Sequence, residues 1–401
     1  MPFRAIALGA AVALTATLGL AAPAAAGGGG GQTPPTPSVV ADGLVTPLGL
    51  AATASGGVLL TQNFLGALNA VDRKGALSEI AAAPGFELSA PSVAGKSIYY
   101  FQVAMDHSSA VLTKRTGTTS SQVADLAAYE AAANPDQVNT YGFLDLPADC
   151  ASQFVPFPEF PPLGMPTYTG VLDTHPYAST VGRDGTVYVA DAGINAIVAI
   201  SPKGAVRTVA VLPPAAPVVV TEELRATTPW PECVVGHGYS AEPVPTDVEI
   251  GQDGRLYVTT LPGGTEDPAA GSRGTVWRID PRGGTPRAVV TGLSSPTGLA
   301  IARDGTAYIS EISGGADRGG QISVVRPGRT TAKPLVSVPS PGAIALSGST
   351  LWIGADIMSP TGVSQLVTVD VRNPGRGWHG KWHGHWNDDF GKFFGNRFRG
   401  H

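Results

Sequence analysis

The sequence predicts an all-β protein, and three observations predict it. Glycine occurs 52 times and proline 35 times in 401 residues, and both residues break helix interiors. They punctuate short apolar runs, the pattern of strands joined by turns. The chain also resembles itself at a period of about 40 residues. Apolar residues make up 43% and charged residues 14% of the chain, which supplies a core and argues against disorder. A formal net charge of −5 argues against nucleic-acid binding driven by bulk charge.

Residues 1–26 read as an export signal. Arg4 gives the positive start, an apolar stretch runs from Ala5 to about Ala22, and Ala24-Ala25-Ala26 fits a signal-peptidase site. The apolar stretch is short of the ~20 residues that a membrane span needs, and no later segment reaches that length. Residues 27–37, rich in Gly and Pro, form a flexible lead-in. The expected product is secreted, extracellular and without a transmembrane segment.

The repeat follows. "RAVVTGLSSPTGLAIARDGTAYIS" (287–310) matches "HPYASTVGRDGTVYVADAG" (175–193) and "PTDVEIGQDGRLYVTTL" (245–261). Each has a Pro, a short apolar strand, an Asp-Gly turn read as a two-residue hairpin loop, and an alternating strand. A third strand, another Gly turn and a fourth strand complete the unit. Weaker copies at 47–81, 90–117 and 341–371 raise the count to six units of four strands, the mark of a six-bladed β-propeller spanning 38–371. The last unit stops after its third strand. The segment Ser38–Gly43 matches a fourth strand, so it is expected to close the ring as the outer strand of the last blade.

With strands a to d running outward from the axis, the a–b and c–d turns share one face. The b–c loops and d-to-a connections share the other. The second set is longer and more varied, so it is the expected working face. Insertions at about 121–173, with a helix over Val123–Ala133, and at about 213–243 join that face. Each holds one of the two cysteines, and a Cys150–Cys233 disulfide would staple them together.

The end of strand b aligns Gln62, Gln102, Asp191, Thr260, Glu311 and, one residue on, Asp356, a polar ring expected at the channel mouth. His175 and Asp247 begin strands a and complete the candidate ligand-binding set. Asp247 stands where other blades have a small residue. With Glu311 and His175 it forms the candidate metal set, because hard cations want several oxygen ligands. Polar groups that cap loops are the alternative reading of the ring, and Asp191 with Asn195 reads as a turn-forming pair. His107 reads as a surface residue. No G-x-S-x-G, H-E-x-x-H, P-loop or EF-hand motif occurs, so no catalytic residue is assigned.

Residues 372–401 form a basic tail rich in His and aromatics, with Trp378, Trp382, Trp386, Phe390, Phe394 and Phe398 at four-residue spacing. A flexible solvated tail is one reading. Contact with cell wall or a membrane surface is another, and metal binding through His379, His383 and His385 a third.

"HPYASTVGRDGTVYVADAGINAIVAISPKGAVRTVAVLP" resembles a blade of the NHL-type six-bladed propellers. The whole arrangement is similar to the ScyD/ScyE family of exported bacterial proteins. The likeness rests on the "VADGLVTPLGLA" opening, the "HPY…DGTVYVADAGIN" blade, the insertion after "VAVLP", and "SSPTGLAIARDGTAYISEI". It covers 38–371 and implies fold and export but no substrate; the tail departs from the family. Related six-bladed propellers hold Ca²⁺ in the axial channel, which implies an acidic ligand set there. Two functions are therefore carried forward. One is a secreted binding or scaffold protein that recognises an unknown protein, glycan or small molecule. The other is a Ca²⁺-dependent hydrolase or lactonase with its site at the axial channel. The export reading predicts that chain recovered from the medium starts at Gly27 by N-terminal sequencing, whereas an intact Met1 terminus contradicts it.

Overall fold

The structure, a computed structural model, describes residues 35–157, 161–264 and 268–372. The leader and the tail expected from the sequence lie outside these residues. Among the described residues, seven four-stranded antiparallel sheets carry the fold, and no helix is long and apolar enough to cross a membrane.

Five of the sheets use consecutive strands. The first is Gly49–Ala52, Val58–Gln62, Ala67–Val71 and Leu77–Ala82, and the second Phe86–Ala94, Ser97–Ala104, Ala110–Thr116 and Thr119–Asp125. The third is Pro176–Val181, Val187–Asp191, Ala196–Ile200 and Val206–Val211. The fourth runs from Pro245–Ile250 to Arg287–Leu293, and the fifth from Pro296–Ile301 to Lys333–Ser337. The sixth joins Ile344–Ser347, Thr350–Ala355 and Ser364–Asp370 to the first strand of the chain, Ser38–Leu44, with Ser38 opposite Thr368 and Leu44 opposite Ser364. Strand a of each of these sheets packs beside strand a of the next, and that of the sixth packs beside that of the first.

The Asp-Gly loops are one residue longer than expected. In the third sheet Gly185 N donates to Gly182 O at 2.9 Å and Gly182 N to Thr186 O at 2.8 Å. Gly185 takes the left-handed conformation, φ 82°. This is a type I turn followed by a left-handed residue, the three-residue hairpin loop. Asp184 Oδ1 braces it by accepting from Thr186 N at 3.0 Å. The same bonds recur around Gly254 and Gly305.

The strands are buried on both faces because the sheets stack face to face. Val187, Val189, Val198 and Ile200 of the third sheet pack on Phe101, Val103 and Leu112 of the second. The alternate residues, Tyr188, Ala190, Ile197 and Ala199, pack on Val248, Leu256 and Val258 of the fourth. This explains why "AIVAI" is apolar at every position. Each such side chain contributes about 1.5–3 kcal/mol of burial.

The insertions depart from the expected bounds. Strand d of the second sheet continues to Asp125, and the helix is Leu126–Ala133, not Val123–Ala133. Asp125 caps it by accepting from Ala127 N. The seventh sheet is built from both insertions, in the order Thr167–Thr169, Thr140–Phe143, Gly238–Ser240, Val218–Val219. Phe143, Trp230 and Tyr239 form its aromatic centre, with ring centroids 4.5–5.1 Å apart. The Cys150–Cys233 disulfide lies in the same cluster, bridging a sequence separation of 83.

A Cys150→Ala/Cys233→Ala variant is expected to lose about 3–5 kcal/mol of stability by loop-entropy arguments, read by denaturant unfolding. A loss below about 1 kcal/mol would mean that the aromatic centre alone holds the insertions together.

Candidate active site

Three separate segments bring two histidines and two carboxylates together where strand a of the third sheet begins. Glu87 lies on strand a of the second sheet and is 2% exposed. His107 sits in the b–c loop of that sheet. Asp173 and His175 belong to the connection entering the third sheet. His175 Nε2 bonds Glu87 Oε2 at 3.0 Å, and His107 Nδ1 bonds Asp173 Oδ1 at 2.5 Å. The imidazole rings stack, 4.8 Å between centroids and 23° between planes. Asn63 Nδ2 donates to the other Glu87 oxygen at 2.7 Å, and Thr61 Oγ1 donates to Asn63 Oδ1 at 2.6 Å, which orients the amide.

Two buried carboxylates place the segment 173–175. Asp191 Oδ1 accepts from His175 N at 2.8 Å and from Gly193 N and Ile194 N at 3.1 Å. Glu130 accepts from Asp173 N at 3.1 Å and from Thr174 Oγ1. Gly193 is required by the fit, since a Cβ there would lie 2.1 Å from Asp173 O. His107 adopts φ 56°, a left-handed backbone that costs a non-glycine residue about 1–3 kcal/mol and clusters at functional sites.

The electrostatics divide the four groups. Burial works against charge on His175, but the Glu87 carboxylate outweighs it and raises the imidazolium to about 9. Burial pushes Glu87 up, yet His175 and the Asn63 bond bring it below the usual range. Asp173 is likewise lowered, its burial outweighed by His107. Behind the site, burial raises Glu130 to about 8 and Asp191 to about 6 against the hydrogen bonds they accept. Glu242, near Asn195 and Tyr168, is raised by burial to about 7.

The sequence-expected residues separate into different roles. Gln62 Oε1 accepts from Val45 N at 2.9 Å and Glu311 Oε2 from Ser294 N at 2.7 Å. With Asp191, they cap the connection entering their own sheet. Thr260 accepts from Trp277 Nε1 at 3.0 Å. Gln102 stands opposite Leu88 and Val111 within its sheet, and Asp356 turns the chain with φ 56°. Asn195 accepts from Val244 N and donates to Asp136. An apolar group gathers from the same connections instead: Leu48, Phe64, Tyr177, Ile312, Ile357 and Met358.

The candidate set Asp247, Glu311 and His175 does not converge. Among the described residues the one group of three donor atoms within 4.8 Å of one another is Glu87, His107 and His175. The cause is register. Pro176 pairs with Asp191 and Pro296 with Glu311, whereas Asp247 pairs with Thr259, further along its strand. Asp247 accepts there from Val248 N and Leu299 N at 2.7 and 2.6 Å. Glu311 is engaged by Ser294 N, Gln321 and Ser323. Two imidazoles and one carboxylate suit a zinc-like ion and not Ca²⁺, which takes six to eight oxygens.

Below the histidines, strands a of all six stacked sheets line a cavity of about 230 Å³ that Asp247 and Glu249 enter. Burial raises both carboxyls, and the Asp247 charge raises Glu249 further.

Sequence reasoning found His175 and missed Glu87, His107 and Asp173. An acid inside the apolar strand "FELSAPSVA" was the available signal.

No protein-family model and no curated protein matches the chain. Solved structures do. A gluconolactonase of Xanthomonas campestris is similar at a TM-score of 0.50 and 11% identity, over 84% of this chain and 90% of that one. A Bacteroides thetaiotaomicron protein of unknown function gives 0.51 at 12% identity, over 83% and 75%. A streptogramin B lyase gives 0.47 at 14%, over 84% and 98%. The likeness establishes a β-propeller fold and nothing of its chemistry.

The raised carboxyls fix the sign of the pH dependence. Acids with folded pKa values above the unfolded ones stabilise fully below about pH 4, and that contribution disappears as pH rises through their folded values. For Glu130, Glu242 and Asp191 the window extends to about 8. The melting temperature is therefore expected to fall between pH 5.5 and 8.5, and to fall less in Glu130→Gln. A melting temperature that rises across this interval contradicts the assignment.

Proposed function

We propose that the protein is a six-bladed β-propeller hydrolase, its ring completed by Ser38–Leu44, that cleaves an ester or lactone with His107 and His175. The observation that carries this reading is the pair of stacked imidazoles, each bonded to its own carboxylate. Asp173 accepts from Nδ1 of His107, and in that tautomer Nε2 is the acceptor nitrogen of the ring. That nitrogen takes a proton from water as the water oxygen bonds to the carbonyl carbon. His175 is an imidazolium held up by Glu87. It gives its proton to the leaving oxygen as the carbon–oxygen bond breaks.

A gluconolactonase is built on this fold, which is compatible with lactone opening. The binding-scaffold reading drew on the lack of a catalytic motif; a site assembled from distant segments removes that ground. The ScyD/ScyE resemblance and the leader place the enzyme outside the cytoplasm in this proposal. A second reading has its own observation. Glu87, His107 and His175 offer three donor atoms within 4.8 Å, so a divalent ion that prefers nitrogen would assist the same reaction.

The test is turnover of a panel of aryl esters and lactones by the full chain. His107→Gln and His175→Gln are expected to lower kcat/KM about 10²–10⁴-fold. No turnover of any member, or turnover indifferent to both substitutions, overturns the proposal. Metal content by mass spectrometry separates the two readings: a stoichiometric ion lost in Glu87→Gln favours the metal-assisted one.

A further inference from the structure

A further apolar group does not belong to the proton-transfer machinery. Leu48, Ile312 and Ile357 are 4–8% exposed, and Phe64, Tyr177 and Met358 pack on them half-buried. They come from connections of the first, fifth and sixth sheets and from strand a of the third, so four sheets contribute to the group. Leu48 and Tyr177 also line the upper end of the polar cavity, which places the group between that cavity and the working face. Tyr177 stands edge-on to His175, 6.3 Å between centroids and 85° between planes. Further apolar side chains flank the site in sequence: Phe86 beside Glu87, Met105 near His107 and Leu172 beside Asp173, exposed 36%, 39% and 63%. Apolar and aromatic lining with a few convergent polar groups is the composition of a small-molecule site. Methionine adapts to varied apolar shapes at such surfaces.

We infer that this platform binds the alkyl part of an amphipathic ester or lactone and presents its carbonyl to the imidazole pair. The inference rests on the hydrolase reading and adds the substrate class. Beside Tyr177, the two histidines and their carboxylates supply the polar groups for a carbonyl head. A small, fully hydroxylated lactone would leave the platform uncovered. A ligand with a carbonyl head and a hydrocarbon body meets both surfaces at once, and the platform blocks its passage into the polar cavity below.

The probe is a γ-lactone series from γ-butyrolactone to γ-dodecalactone. Binding is measured by calorimetry on the full-chain His107→Gln variant, and turnover on the unmodified chain. Affinity is expected to rise at least tenfold from the shortest to the longest member, since each buried methylene favours binding. Adding Met358→Gln should remove most of that gain. Phe64→Leu, which preserves apolar character, should keep it; circular dichroism checks that both variants fold. Affinity independent of chain length, or Met358→Gln weakening short and long members equally, overturns the inference even where turnover is observed. Chain-length-dependent binding without turnover supports the platform and removes the hydrolase. Neither binding nor turnover removes both.

Discussion

The carboxylate of Asp191 accepts from three backbone N–H groups, and one belongs to His175. That bond fixes the point at which the chain enters the third sheet. Gln62 and Glu311 make the corresponding bond at the entries to the first and fifth sheets. A buried side chain at the end of strand b therefore sets the start of strand a, and the start of strand a carries the site. Glu130, from the first insertion, holds the two residues before His175, Asp173 and Thr174. The two histidines owe their spacing to this bracing. An unpaired backbone donor in these connections would itself cost about 1–3 kcal/mol, so the caps stabilise the fold as well as place the chemistry.

The repeated sheets were legible because their signals are local. An Asp-Gly loop, an alternating strand and a following Gly turn lie within about one repeat, and hairpins of this kind follow from short-range turn chemistry. The loop length was misjudged because the same Asp-Gly pair serves two-residue and three-residue hairpins with Gly left-handed in both, and Asp184, which is not left-handed here, distinguishes them. The seventh sheet escaped reading for the opposite reason. Its strands are two to four residues long, too short for periodicity, and they come from two insertions distant in sequence.

The site was legible only in part. His175 drew attention by its place at the head of a strand. His107 looked like a surface residue because its partners lie on other segments, 66 positions away for Asp173. Asp247 looked like a ligand because an acid among small residues is conspicuous. Sequence alignment of the repeats did not separate its level on the strand from that of His175. The polar ring was expected to face the axis, yet Gln62, Asp191 and Glu311 turn toward backbone and Phe64, Tyr177 and Met358 occupy the face instead. Hydrogen-bond demand of the connections outweighed exposure to the channel.

The pairing of Ser38–Leu44 with Ser364–Asp370 has a kinetic side. Partners at opposite ends of the described chain must find one another across nearly every other element, and such distant pairing slows folding. A chain that emerges from its N-terminus carries one half of this ladder long before the other exists. Until the ends join, Ser364–Asp370 is an unpaired sheet edge, and unpaired edges recruit strands from other molecules. The most vulnerable moment in the life of this protein is thus its last step of folding, when one copy's leading strand and a neighbour's compete for the same edge.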